Sequence, residues 1–396
     1  MNEMFHFLLI LGGILFFAKI FGEIALRSGQ STIIGELVAG IIMGPAVLGI
    51  IYETQVLSYM SELGGMILLF DVGLSINAKK FFKVGGWATL VAFVGIIIPY
   101  FLGYFVFLQF GLTNAQSIFA GAVLTATSIG VTARVFSDLK YLDTQEARIV
   151  IGAAVIDDVV VLGILAVVSE LIINKAVTFE ALLYISKNAV LFLVASVVIG
   201  ISILSVIFKF ISKMKQSNVL FIIGVALCFI LSAFSLKVKL APIMGAFIAG
   251  LVLSTIGEQQ VEEIKEDIKP LCAFFVPIFF VLMGINVDIN TFNPFVASNT
   301  GTLVLTGILF IVAFVGKALS GFAVLKKGVN KFLIGISMIP RGEVGLIFAE
   351  LGLKNNVFEI RYYSSLVAVI ILTTFITPII LRCIISKEAK GNVCVS

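Results

Sequence analysis

Thirteen apolar stretches of 17 to 31 residues follow one another along this chain, at 5–26, 32–51, 60–76, 85–109, 115–137, 146–173, 181–211, 217–236, 240–256, 270–290, 301–325, 331–352 and 362–385. A helix of about 20 apolar residues is long enough to cross a bilayer. The chain is therefore read as an all-α polytopic membrane protein with 13 transmembrane helices. Composition agrees, since 60% of the 396 residues are hydrophobic and 13% are charged, against about 25% charged in an ordinary soluble domain. The net charge of +4 belongs to cytoplasmic loops in such a chain, so nucleic-acid binding is not indicated. The apolar run that follows Met1–His6 lacks a basic leader and a clear cleavage site, which makes it a retained first helix.

An odd number of spans puts the termini on opposite sides. Alternate connections and the C-terminal tail carry 17 basic residues, among them Lys79, Lys80, Lys83, Lys213, Lys215, Lys326 and Lys327, while the other connections carry six. By the positive-inside rule the N-terminus lies outside and the C-terminus in the cytoplasm of a multi-pass cell-membrane protein. The remaining four of the 27 basic residues, Lys19, Arg134, Lys317 and Arg341, are assigned to spans and not to connections. The cysteines Cys228, Cys272, Cys383 and Cys394 are scattered and form no CxxC spacing, so they are read as packing residues, without a zinc site or a disulfide framework.

The chemistry concentrates in the sixth span, where Asp157 and Asp158 stand side by side in an apolar run. An acid at a helix centre costs about 2.5 to 3.5 kcal/mol on insertion scales, and intramembrane acids mark ion and proton pathways. Neighbouring residues of a helix point about 100° apart. The two carboxylates therefore cannot share one partner, so one takes a fixed counter-charge and the other faces a wet cavity. Lys317, deep in the eleventh span, pairs with one of them. Glu36, Glu62 and Asp71 are less central and are read as structural or interface residues. His6 is the only histidine, which excludes a histidine-cluster pH sensor; any response near neutrality comes from carboxylates or a lysine.

An internal repeat runs through the chain. Gly35–Gly40 in the second span resembles Gly245–Gly250 in the ninth, and Phe70–Ile76 in the third resembles Val281–Val287 in the tenth, at offsets of 210 and 211. Seven spans separate each pair, so the halves cross the membrane in opposite directions: two inverted six-helix repeats joined by a linker helix. Such repeats are typical of secondary transporters, whose sites lie near the midplane on discontinuous helices. In the fifth span, Thr125–Arg134 brings Thr127, Ser128, Gly130 and Thr132 to mid-membrane; its counterpart in the twelfth contains Ser337, Pro340, Arg341, Gly342, Glu343 and Gly345. Both read as interrupted helices. Their freed carbonyls, with the Thr127 and Ser128 hydroxyls, can coordinate a small cation, although the hydroxyls can also bond back to their own helix. Glu343 has Arg341 or Arg134 as possible partners.

The Asp157–Asp158 pair, the Thr125–Phe136 stretch, Gly316–Lys317 and the Pro340–Gly345 stretch together resemble the cation/proton antiporter superfamily, and within it the sodium/proton antiporters of the NapA and NhaA kind. The likeness covers essentially the whole chain. It implies the NhaA-like fold with two crossing discontinuous helices, Asp158 as the ion-binding and proton-carrying group, and Asp157 as the partner of Lys317. It also implies a homodimer formed through a scaffold (1–76 and 217–290), an elevator-like core (85–173 and 301–385) and a linker helix at 181–211. The resulting reading is not an enzyme but a sodium/proton antiporter, with sodium and protons as transported ions, membrane lipids as surroundings and no cofactor. Sodium would be held by Asp158, Asp157 and Thr127, with Ser128 and Lys317 alongside and Arg134, Arg341 and Glu343 as a core charge network.

The alternatives are a potassium/proton antiporter of the Kef or GerN kind, and an organic-anion symporter of similar topology. Potassium relatives of the Kef kind usually replace the first aspartate and often carry a nucleotide-binding tail, whereas here about ten residues follow the last span. An intramembrane aspartyl protease is disfavoured, because adjacent residues on one helix cannot converge on one water. If Lys317 and Asp158 each release a proton when sodium binds, two protons exchange for one sodium ion. Each cycle then moves one net charge, worth about 2.3 kcal/mol per 100 mV.

Overall fold

A computed structural model describes residues 2–45, 47–173, 187–188, 190–202, 218–238, 240–285, 300–355, 357 and 359–393. The elements are α1 (Asn2–Arg27), α2 (Thr32–Met43), α3 (Gln55–Ser75), α4 (Ala78–Lys83), α5 (Gly85–Gln109), α6 (Asn114–Val123), α7 (Ile129–Asp138) and α8 (Gln145–Ile173). They continue with α9 (Val190–Ser202), α10 (Val219–Lys237), α11 (Pro242–Leu253), α12 (Glu258–Ile285), α13 (Thr300–Ala318, extended by a 3-10 turn at Leu319–Ala323), α14 (Lys331–Ser337), α15 (Glu343–Lys354) and α16 (Ile360–Val393). Among the described residues, seven helices are long and apolar enough to cross a membrane. The protein is an all-helical, multi-pass membrane protein.

The chain divides into two compact units. Unit 1 comprises Met1–Ser28, Gly35–Lys83 and Ile185–Asn286, and unit 2 comprises Gly29–Ile34, Val84–Tyr184 and Val287–Ser396. Gly29–Ile34 groups with unit 2, and the chain from Ile185 groups with unit 1. Of the expected linker, α9 is described; 181–186 and 203–211 lie outside the described residues, as does the end of the 270–290 span beyond Ile285.

In unit 1, backbones meet where glycines remove the side chain, the packing that membrane helices favour. A Cβ on Gly40 would lie 2.0 Å from the Val281 carbonyl oxygen and 2.9 Å from the Gly284 Cα. A Cβ on Gly250 would lie 2.2 Å from the Phe70 carbonyl oxygen and 2.9 Å from the Gly73 Cα. Each residue of the first contact maps onto one of the second by the offset of 210 or 211 read from the sequence. The same holds one helix further out. A Cβ on Gly35 would meet the Phe21 carbonyl oxygen at 2.1 Å, and one on Gly245 the Leu231 carbonyl oxygen at 2.3 Å. Thus α2 packs on α12 as α11 packs on α3.

Two helix ends depart from the hydropathy boundaries for local reasons. The span expected to reach residue 51 stops at Met43, because Pro45 disfavours helical geometry at the residue before it and Gly49 turns the chain at φ +61°. In the other direction, α12 begins twelve residues before the expected 270, at Glu258. Its first turns bury Val261, Ile264 and Ile268 while Glu262, Lys265, Glu266 and Lys269 form ion pairs on the outer face. An amphipathic extension of this kind escapes a search for continuous apolar runs.

Unit 2 gathers α5 on α6, α8 and α13, with α13 also on α16 and α15 on α16. Its core holds Phe107, Phe119, Phe348, Tyr362 and Leu366. At Gly316 the missing side chain admits Pro99 of α5, whose Cα and Cβ would lie 3.1 Å from an added Cβ. This contact seats α13 on α5 one residue before Lys317.

Candidate ion site

Both interruptions have local causes. The helix α6 is started by a capping box between Thr113 and Gln116; at its other end the Thr125 hydroxyl donates to the Ala122 carbonyl oxygen at 2.7 Å. Such a side-chain bond competes with the backbone ladder, and α7 restarts only at Ile129. At the other interruption, Asn330 caps α14 through the Leu333 amide at 2.9 Å. Pro340 then prevents continuation, and α15 restarts at Glu343 with Gly342 as its N-cap.

The two extended segments bind each other. The Ser128 amide donates to the Pro340 carbonyl oxygen at 2.7 Å, and the Thr132 hydroxyl donates to the Ser337 carbonyl oxygen at 2.7 Å. Thr127 stands between two acceptors, the Met338 carbonyl oxygen at 3.4 Å and the Asp157 carboxylate. Much of the freed backbone that the sequence offers to a cation is thus engaged in holding the crossing together.

Behind the crossing, α8 carries both acids. Asp157 is fully buried and Asp158 is 5% exposed. The Lys317 ammonium, also fully buried, lies 3.2 Å from Oδ2 and 3.4 Å from Oδ1 of Asp157. The lysine stem fits because α5 has a glycine opposite: a Cβ on Gly95 would lie 3.6 Å from the Lys317 Cδ and 3.3 Å from the Ser320 Cβ. Ser320 in turn donates to the Lys317 carbonyl oxygen at 2.6 Å where α13 tightens into its 3-10 turn.

Arg341 takes a place that its sequence neighbours do not suggest. Its guanidinium is fully buried and donates to the carbonyl oxygens of Leu124 at 2.7 Å, Ile339 at 3.3 Å and Ala313 at 3.5 Å. Among the described residues no carboxylate lies within ion-pairing distance of it. It therefore meets the carbonyl ends of α6 and α14, where a cation offsets the negative pole of a helix, and it adds a positive charge to the field at Asp157. The Glu343 side chain lies outside the described residues. Arg134 sits at the far end of α7, where its Nε pairs with Asp138 at 3.0 Å and Asp138 accepts from the Ser31 and Thr32 hydroxyls at 3.1 and 3.2 Å.

Gly95 and Thr374 were not singled out from the sequence, and Gly342 only as part of an interrupted helix. Gly95 makes room for the lysine. Thr374 of α16 donates to the Arg341 carbonyl oxygen as well as to Ile370 of its own helix. Gly342 lies against the Ser128 hydroxyl. The available signal was the cluster Thr373, Thr374 and Thr377, three hydroxyls in an otherwise apolar span, all buried.

A family model described as sodium/hydrogen exchanger, transmembrane, matches residues 12–387. The chain belongs to this family. The high-affinity Na(+)/H(+) antiporter NhaS3 of Synechocystis sp. is 35% identical, with 96% of this chain and 92% of that protein covered. The Na(+)/H(+)-K(+) antiporter GerN of Bacillus cereus is 31% identical over 98% of both chains. Among solved structures, the sodium proton antiporter MjNhaP1 of Methanocaldococcus jannaschii matches with a TM-score of 0.67 at 15% identity, covering 97% of this chain and 100% of that one. The exchanger fold is shared at a sequence distance where the likeness speaks for the fold alone.

Proposed function

We propose that the protein exchanges sodium for protons across a cell membrane, with Asp158 as the group that alternately binds the two. The observation that carries this reading is the pair of adjacent buried acids behind two interrupted helices, with one acid neutralised by Lys317. Asp157 is met by the Lys317 ammonium and the Arg341 guanidinium by helix carbonyl ends, and the second buried acid, Asp158, is the group assigned to a monovalent ion or a proton. The family and the sodium antiporters similar to this chain support the same choice of ions. GerN, whose name joins potassium to sodium and protons, supports testing potassium beside sodium and gives no preference to a potassium-only exchanger.

In the finer reading, thirteen spans form two inverted six-helix repeats of the NhaA-like kind. The N-terminus is outside and the C-terminus cytoplasmic. Unit 1 acts as the scaffold of a homodimer and unit 2 as the elevator-like core. The reciprocal glycine contacts of unit 1 support the repeat. Sodium is held by Asp158, Asp157 and Thr127. Its arrival draws Asp157 away from Lys317, so that both Lys317 and Asp158 give up protons and exchange is two for one.

The test is dequenching of a pH-sensitive dye in proteoliposomes, scanned over sodium, lithium and potassium. Proton movement on addition of sodium is expected. Movement with potassium alone would replace sodium by potassium, and movement with none of the three would overturn the antiporter reading.

A further inference from the structure

Ser128 is the N-cap residue of α7, yet its side chain makes no capping bond. The residue is 3% exposed, and its hydroxyl oxygen has no hydrogen-bond partner among the described residues. A buried hydroxyl without a partner forfeits the hydrogen bonds it makes in water, so its retention at the crossing calls for a ligand. The hydroxyl projects against Gly342, the N-cap of α15: a Cβ added there would lie 2.7 Å from Ser128 Oγ and 2.9 Å from Ser128 Cβ. The φ of −132° and ψ of −148° at this position fall outside the extended region that other residues favour, so the backbone gives one reason for glycine. The neighbouring serine gives a second, because a side chain at position 342 would strike it.

The serine has little freedom to retreat. Its amide is bonded to the Pro340 carbonyl oxygen at 2.7 Å, two residues before Gly342, and the adjacent Thr127 and nearby Thr132 are also bonded to the α14 end. With both backbones pinned, a methyl group at position 342 is accommodated by a shift of a few tenths of an ångström and by turning the Ser128 hydroxyl into another rotamer.

We propose that Gly342 is a specificity-determining residue of the exchanger: by leaving open the space beside Ser128, it holds that hydroxyl in the orientation in which it ligates the transported alkali cation. The proposal rests on the cation-exchange reading above and adds the residue that aims one ligand. Gly342 touches no ion itself and acts through Ser128.

The experiment compares Gly342→Ala, Ser128→Ala, Ser128→Gly and the double variant Ser128→Gly/Gly342→Ala in proteoliposomes, recording half-maximal concentration and maximum rate for sodium, lithium and potassium. Gly342→Ala and Ser128→Ala are both expected to raise the half-maximal sodium concentration about three- to tenfold, with maximum rate nearly unchanged and the ratio between the ions altered. In the Ser128→Gly background, Gly342→Ala is expected to add nothing, since the atoms it would strike are gone. An unchanged half-maximal concentration in Gly342→Ala, or an equal loss with and without Ser128, would overturn the proposal and make the glycine a matter of loop packing. Should Gly342→Ala extract poorly from the membrane, the protection from thermal unfolding by each ion in Ser128→Ala, Ser128→Gly and unaltered protein reads the hydroxyl's role without transport; equal protection in all three overturns it. If the unaltered protein exchanges none of the ions, the antiporter reading has failed, an outcome separate from any of these.

Discussion

The Lys317 ammonium lies 3.2 Å from the Asp157 carboxylate, and neither side chain has any exposed surface. Removing one member of such a pair leaves a lone buried charge and costs about 3 to 5 kcal/mol, whereas replacing both by neutral groups costs much less. Lys317→Ala and Asp157→Ala are therefore each expected to lower the melting temperature in detergent markedly, and Asp157→Asn/Lys317→Gln to recover most of the loss. A double variant no more stable than the single ones would contradict the pairing.

Asp158→Asn is expected to abolish sodium-dependent proton movement in proteoliposomes while the protein remains monodisperse. The amide keeps the volume of the acid but neither carries a full charge nor releases a proton. Retained exchange in this variant would remove Asp158 from its role as carrier.

If Lys317 gives up its proton along with Asp158, each cycle moves a net charge. With sodium on both sides and no pH gradient, a valinomycin-imposed potassium diffusion potential is then expected to drive protons through the protein. The driving force is about 2.3 kcal/mol per 100 mV for one charge. A preparation that is active with a sodium gradient yet silent under the potential would establish one-for-one exchange and leave Lys317 a structural partner.

The repeat-related contacts of unit 1 make a paired prediction. Added methyl groups at Gly40 and Gly250 would fall 2.0 and 2.2 Å from carbonyl oxygens, and overpacking of this kind costs about 1 to 3 kcal/mol or more. Gly40→Ala and Gly250→Ala are expected to reduce thermal stability by similar amounts. Gly12→Ala on α1, with nothing within 4 Å, should be tolerated. Unequal losses at the two repeat-related positions would show that the equivalence is confined to the backbone.

Much of this architecture is legible in the chain itself because it depends on local quantities. Run length and polarity mark membrane helices, the position of Asp157 and Asp158 within a run places them at depth, and Pro340 ends α14 wherever the helix goes. The offset of 210 and 211 could be read because close helix packing demands glycine, which leaves the same letters in both repeats. What the chain could not settle was direction. The 100° between neighbouring helical residues separates Asp157 from Asp158 without saying which meets Lys317, 160 residues away. Arg341 reaches the carbonyl oxygen of Leu124, 217 residues distant, a partner that no sequence neighbour announces. That choice arises where α6 and α14 end together with unmet carbonyls. Likewise, Thr374 and Gly342 differ from other threonines and glycines of the chain only by what the folded crossing sets beside them. Helix formation is driven within each segment, whereas the aim of a buried polar side chain is decided by which unmet groups other segments bring within about 3 Å, the reach of a hydrogen bond.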